Sequence, residues 1–288
     1  MGKIAVMTDS NSGLTPEEAG QMGAFLVPMP FYLNDEVFYE NETISRDRFF
    51  EAQAQDVEIH TSQPVVGDLL DRWNAVLKDY DGLIYIPMSS GLSGSCASAA
   101  ALAEDYDGKV VVVNNQRISV TQKQAVRDAV RLAEEGHSME DIHRYLMDTK
   151  FDSTIYITVD TLKYLKKGGR VTAAGAAIGT VLNIKPVLTI QGEKLDAFAK
   201  ARGMKAAKKR MIAAMDEELA DRFSDIPAEE LKLGAAYTCD EETANAWKKT
   251  LEEHFGKPCE MDPLPLSIAC HTGPGAMGGG FVRVGPGE

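Results

Sequence analysis

Apolar and polar positions alternate in blocks along the first half of the chain. Lys3 to Met7 is a short, mostly apolar run ending in the polar cluster Thr8-Asp9-Ser10-Asn11-Ser12, the pattern of a buried strand that delivers a loop at its carboxyl end. The design recurs where Leu83 to Ile86 runs into Pro87-Met88-Ser89-Ser90-Gly91-Leu92-Ser93-Gly94, and where Val110 to Val113 runs into Asn114-Asn115-Gln116. Helical periodicity fills the intervals. Val66 to Lys78 places Leu69, Leu70, Trp73 and Leu77 on one face, and Ser95 to Glu104 and Val120 to Glu135 follow, the last closed by Gly136. Strands alternating with helices predict an α/β fold with a parallel sheet covered on both faces, in which ligands sit outside the strands' carboxyl ends. The polar loops fall there.

Phe25 to Tyr39, with Asn34-Asp35 between two apolar runs, reads as a hairpin attached to this sheet, a possible flap whose Pro28 and Pro30 mark an edge. From about Phe151 the texture changes. Ser153 to Thr158 predicts a strand, Leu162 to Lys167 a helix stopped by Gly168-Gly169, and Ala173 to Leu182 a second helix rich in Ala and Gly. Val187 to Ile190 and Leu195 to Ala199 flank Gln191-Gly192 as a hairpin, and long helices cover Met204 to Arg222 and Glu242 to Phe255. The reading is a first α/β domain over residues 1–152 and a second, mixed α/β domain over 153–288, the boundary resting on texture because no repeat or low-complexity linker marks it.

Composition narrows the function. With 288 residues and 44% hydrophobic content the chain has enough apolar material for compact domains. A net charge of -13 repels phosphate backbones and anionic membranes, so nucleic acid is not an expected partner. The apolar run before Asp9 is too short for a signal peptide and no 18-residue apolar stretch follows, so a soluble, cytoplasmic protein without stable membrane insertion is expected. Gly2 invites a myristoylation reading, but Val6 stands where that signal needs Ser or Thr. Cys96, Cys239, Cys259 and Cys270 form no C-x-x-C pair and read as packing thiols. His60, His137, His143, His254 and His271 lack metal-ligand spacing, so no metal is implied.

Three polar segments remain as candidate chemistry. In Ser89-Ser90-Gly91-Leu92-Ser93-Gly94-Ser95, hydroxyls and glycines at a strand-to-helix turn expose backbone N–H groups at a helix N-terminus, which suits an anion; equally, Ser93 or Ser95 caps its own helix. His60-Thr61-Ser62-Gln63-Pro64 again puts hydroxyls ahead of a helix, with Pro64 fit for its first turn, and two such turns can pinch one carboxylate. His271-Thr272-Gly273-Pro274-Gly275-Ala276-Met277-Gly278 brings an imidazole on a glycine-rich turn, although a histidine taken singly is more often structural.

Together these segments resemble the DegV family from end to end. The resemblance is carried by Thr8-Asp9-Ser10, Thr61-Ser62-Gln63-Pro64, Ser89-Ser90-Gly91-Leu92-Ser93-Gly94, Thr161-Leu162-x-Tyr164-Leu165-x-x-Gly168-Gly169-Arg170, Ile184-Lys185-Pro186 and His271-x-Gly273-Pro274-Gly275-Ala276. It implies a Rossmann-like N-terminal domain, a second α/β domain, and a fatty acid held in a tunnel between them. It also implies that Thr61 and Ser93 hold the carboxylate, with Ser62, the Gly94 amide, Arg170 and His271 nearby, and that the acid is presented to a fatty acid kinase. The protein would then be a carrier, with the fatty acid as ligand, no cofactor and no catalytic residue. The family usually has serine after Gln-Pro and here Val65 stands there, which alters a helix cap but not the implied ligands.

The energetics suit such a carrier. At about 0.8 kcal/mol per buried methylene, a chain of about 14 contributes on the order of 11 kcal/mol before ordering costs, leaving the head-group donors to set orientation. Phe25, Leu26, Met29, Phe31, Ile157, Ile178, Leu182 and Ile268 are candidate tunnel residues or ordinary core. From Lys194 to Arg210, Lys194, Lys200, Arg202, Lys205, Lys208, Lys209 and Arg210 face only Asp196; this is either a solvated helix face or a docking patch for the kinase, with Arg202 the residue implied by the resemblance. The main alternative is a serine hydrolase using Ser93 and His271, against which Gly91-Leu92-Ser93-Gly94-Ser95 lacks the final glycine of a nucleophile elbow. A phosphoryl transferase would need a P-loop or clustered carboxylates, and the sequence has neither.

Overall fold

The structure, a computed structural model, describes residues 2–40, 42–177, 184–192 and 194–285. In chain order the first strands are β1 (Ile4–Asp9), β2 (Ala24–Val27), β3 (Phe31–Leu33), β4 (Glu36–Phe38), β5 (Ile59–Thr61), β6 (Gly82–Ile86) and β7 (Val110–Val112). They are followed by β8 (Ile155–Thr158), β9 (Ile184–Ile190), β10 (Asp196–Arg202), β11 (Leu231–Tyr237), β12 (Cys259–Pro263) and β13 (Met277–Arg283).

An all-parallel sheet of order β2-β1-β6-β7 forms the core of the N-terminal part. Its strands are buried on both faces, which is why they read as unbroken apolar runs. Val6, Ile84 and Ile86 face the helices Val120–Glu134 and Met139–Asp148, while Ala5, Met7, Leu83 and Tyr85 face Leu69 and Trp73 of the helix Val66–Val76. The second sheet is mixed, with order β10-β9-β8-β13-β11-β12, in which only β11 and β12 run parallel. Helices Met204–Ala220 and Glu241–Phe255 cover one of its faces through Met211, Met215, Trp247 and Leu251. The other face looks toward the parallel sheet, and the two parts are tied at Lys123, whose Nζ lies 2.8 Å from Asp262 and 3.2 Å from Glu18.

Residues Phe25 to Tyr39 differ from the expected hairpin on the parallel sheet. Pro28 and Pro30 end β2 inside that sheet, because proline offers no N–H to a ladder. β3 and β4 then turn through Asn34, at φ 54°, and join β5 in a separate three-stranded antiparallel sheet. Phe31, fully buried, stacks against Phe38 and meets Phe49 edge-on at 5.4 Å, and the cluster closes on Leu266, Ala269 and Cys270 of the helix Leu266–Thr272. The hairpin is therefore packed against a C-terminal helix, not free as a flap.

The glycine-rich turn expected after His271 is present but shorter than the sequence suggested. Gly273 and Gly275, both at positive φ, make a short turn, and Met277 onward forms β13 in the middle of the six-stranded sheet. Of the expected helix from Ala173 to Leu182, Ala173–Ala176 is helical; Ile178 and Leu182 lie outside the described residues.

Candidate functional site

The site follows from how the two sheets meet. On the face of the six-stranded sheet turned toward the N-terminal part, β11 and β13 present Gly234, Ala236, Gly278 and Gly280 in register, Gly234 opposite Gly280 and Ala236 opposite Gly278. Four adjacent positions with almost no side chain leave a trough. Its walls are Ile157 of β8, Ile190 of β9, Leu165 and Leu195 from one side, and Met29, Met88, Leu92 and Ile268 from the other. The result is a cavity of about 290 Å³, at the lower edge of the range of small-ligand sites. Met29, Ile157 and Ile268 border it as the sequence suggested. Phe31 belongs to the hairpin core instead, Phe25 packs on Tyr80, and Leu26 packs in the apolar cluster of the parallel sheet.

Thr61, Ser62, Ser93, Gly94, Arg170 and His271, the six head-group candidates, all border this cavity. They arrive from four places in the chain: Thr61 ends β5 and Ser62 follows it, Ser93 and Gly94 precede the helix Ser95–Ala103, Arg170 follows the helix Lys163–Gly168, and His271 lies in the last turn of Leu266–Thr272. Gly94 is the N-cap of its helix and supplies no side-chain cap, while the Ser93 hydroxyl accepts from the Ser95 amide at 3.2 Å. The helix N-terminus thus keeps amides available to an anion. Gln63, which the sequence reading left without a role, steadies the turn by accepting from Ser98 Oγ at 2.8 Å.

His271 is fixed by glycine. A Cβ on Gly168 would lie 2.1 Å from His271 Nδ1, and one on Gly273 would lie 2.3 Å from the Tyr164 ring, so the helices Lys163–Gly168 and Leu266–Thr272 approach only because both positions lack side chains. Burial, reinforced by the neighbouring Arg170 guanidinium, holds the imidazole down at about 4, so it is neutral near pH 7. Its Nε2 lies 2.9 Å from Thr61 Oγ1. If the ring carries its proton on Nε2 it donates to the threonine oxygen, which frees the threonine O–H for an acceptor in the cavity. Arg170 Nε donates to Leu92 O at 3.1 Å and Nη1 to Gly168 O, which pins the serine turn to the end of the helix Lys163–Gly168, against which His271 packs.

Asp9, assigned only a loop-orienting role from sequence, is fully buried and accepts from the amides of Met88 at 2.8 Å and Asn11 at 3.0 Å and from Gln122 Nε2 at 3.2 Å. Burial pushes its carboxyl up to about 6 against those donors. Because it clamps the loops after β1 and β6, it positions Asn11 and Met88 at the cavity wall. Arg202, at the end of β10, is exposed and is not among the residues bordering the cavity. Of its basic neighbours, Lys208 covers the Trp247 ring and Arg210 the Phe198 ring, so those two have structural partners. Among the described residues no group of three His, Cys, Asp or Glu is placed to hold a metal ion, and no helix is long and apolar enough to cross a membrane.

An apolar trough bordered at one end by neutral and cationic donors has the chemistry to suit an amphipathic anion. Residues 3–284 match the family described as "Uncharacterised protein, DegV family", and the chain belongs to that family. A DegV domain-containing protein of Streptococcus pneumoniae is 29% identical over 277 residues, covering 96% of this chain and 97% of the relative. Among solved structures, a fatty-acid-binding DegV family protein from Thermus thermophilus superposes with a TM-score of 0.87 at 29% identity, over 98% of this chain and all of that one. DegV of Bacillus subtilis, a fatty acid binding protein, gives 0.85 at 27% identity with the same coverage.

Proposed function

We propose that this chain binds one long-chain fatty acid, with the acyl chain along the glycine trough and the carboxylate held by Thr61, Ser93 and the Gly94 amide, with Ser62, Arg170 and His271 close by. The observation that carries the reading is that all six head-group candidates converge on one cavity whose remaining walls are largely aliphatic. Two structural relatives that bind fatty acids at 27 and 29% identity over nearly the whole chain support it. The chain acts inside the cell as a carrier that presents the acid to a fatty acid kinase, docking through the exposed basic strand end at Arg202, and has no chemistry or cofactor of its own.

The hydrolase alternative fares worse on geometry. His271 Nε2 is engaged by Thr61, and the Ser93 hydroxyl is engaged by the Ser95 amide. An imidazole held at about 4 is moreover a weak base near neutral pH. Native mass spectrometry of the protein purified without added lipid tests the carrier reading. The expected spectrum contains a species heavier by one long-chain acid, which denaturation releases unaltered. A bare chain that also fails to take up added oleate would refute it.

A further inference from the structure

Ser119 stands where serine usually caps a helix, immediately before the 15-residue helix Val120–Glu134, yet its side chain makes no cap bond. Elsewhere in the described chain Thr15, Ser45, Ser138, Thr172 and Asp240 hold the same position and all make it. The difference lies in the backbone. Ser119 sits at φ 55° and ψ -137°, a conformation that costs a non-glycine residue energy. Its side chain is only 5% exposed, and its hydroxyl has no hydrogen-bond partner among the described residues. A buried hydroxyl without a partner is normally expensive, and this one borders the acyl cavity.

Its surroundings form a polar patch on a mostly aliphatic wall, with Thr121 and Thr154 as further hydroxyls bordering the cavity. The Ser119 amide donates to Asn11 O at 2.8 Å, and Ser267 Oγ donates to Asn11 Oδ1 at 2.6 Å; all three residues border the cavity. Ser267 thereby uses its proton and keeps lone pairs. The cluster is offset from the head-group candidates by about one helical turn: on the helix Leu266–Thr272, Ser267 stands four residues, or roughly 6 Å, before His271, and Val120, next to Ser119, packs toward Gly234 of β11.

We infer that Ser119 is a specificity residue for the bound chain, its hydroxyl donating a hydrogen bond to an oxygen carried partway along the acyl group while Ser267 Oγ accepts one from that oxygen's O–H, so that the preferred ligand is a hydroxylated long-chain acid. The inference rests on the fatty-acid reading above. Delipidated protein would be titrated with stearic acid and with stearic acids hydroxylated at successive carbons. One positional isomer is expected to bind about five-fold tighter than stearic acid, the net yield of its two hydrogen bonds after the ligand hydroxyl is desolvated. Ser119→Ala and Ser119→Gly should both erase that preference and leave stearic acid binding within about two-fold, since neither removes apolar wall. Ser119→Gly also suits the positive φ, so its loss of preference would not come from misfolding. If stearic acid binds but no isomer is preferred, or if the preference survives both substitutions, the inference is wrong and the carrier reading stands. If no acid binds at all, both fall.

Discussion

Replacing Thr61 and Ser93 together with alanine is expected to abolish fatty acid retention while the protein stays folded. Hydrogen bonds to an ionised group are worth about 1.5–3 kcal/mol each, so either single change should weaken binding by roughly ten- to a hundred-fold. The double variant loses two donors to one anion. It should fall at least a hundred-fold, although neighbouring sites need not add. Both side chains are only partly buried, and neither fills the core clusters, so the melting temperature should move little. Thr61→Ala also leaves His271 Nε2 without its described partner, and a neutral imidazole N–H so released is a partial substitute donor. For that reason Ser93→Ala should be the more damaging single change. Equilibrium dialysis with labelled oleate, beside thermal melts, checks this; unchanged occupancy in a folded double variant would remove the carboxylate assignment.

A second large effect is expected on stability. Gly280→Ala would place a Cβ 1.8 Å from the carbonyl oxygen of Thr154 and 2.8 Å from its carbon. Both atoms are backbone, so relief requires β13 to part from the segment leading into β8, beside the Thr154 amide bond to Phe281 O at 2.8 Å. The cost should be about 3 kcal/mol or more, at the upper end for overpacking. Gly279→Ala, one residue away on the opposite face, meets Leu251 Cδ1 at 3.4 Å and Met215 Sδ and Trp247 Cζ2 at 3.6 Å, ordinary contacts, and should cost less than about 1 kcal/mol. Urea titrations of the pair distinguish a strand that needs glycine for close approach from one that merely tolerates it. Similar midpoints for the two variants would contradict the packing described here.

The parallel sheet was legible because burial on both faces turns strands into apolar runs, and period-3.6 helices separate them. β13 was not. Gly278-Gly279-Gly280 carries no side-chain pattern, and glycine runs read as turns; only Phe281-Val282 signals a strand, and the paired strands that enforce it are distant in sequence. The hairpin was recognised by Asn34-Asp35, but its partner β5 and its contact with Leu266 are tertiary facts. For the site, the hydroxyl- and glycine-rich turns around Thr61, Ser93 and His271 stood out as local patterns, whereas Arg170 and the Gly94 amide entered through the family resemblance; that they border one cavity is a tertiary fact. What no motif conveys is that Gly168 exists to admit His271, or that Ser119 forgoes its cap, because each depends on a neighbour remote in sequence.

The proposed function requires that a carboxylate, not merely an apolar chain, is recognised. It is tested most directly by competing a long-chain fatty acid against its methyl ester and its alcohol of equal chain length for delipidated protein, measured by calorimetry. Since all three bury the same methylenes, the account predicts that the acid binds at least about a hundred-fold tighter, the worth of two charge-assisted bonds. Equal affinity for acid and ester would mean that Thr61, Ser93 and the Gly94 amide do not hold the head group, and would contradict it.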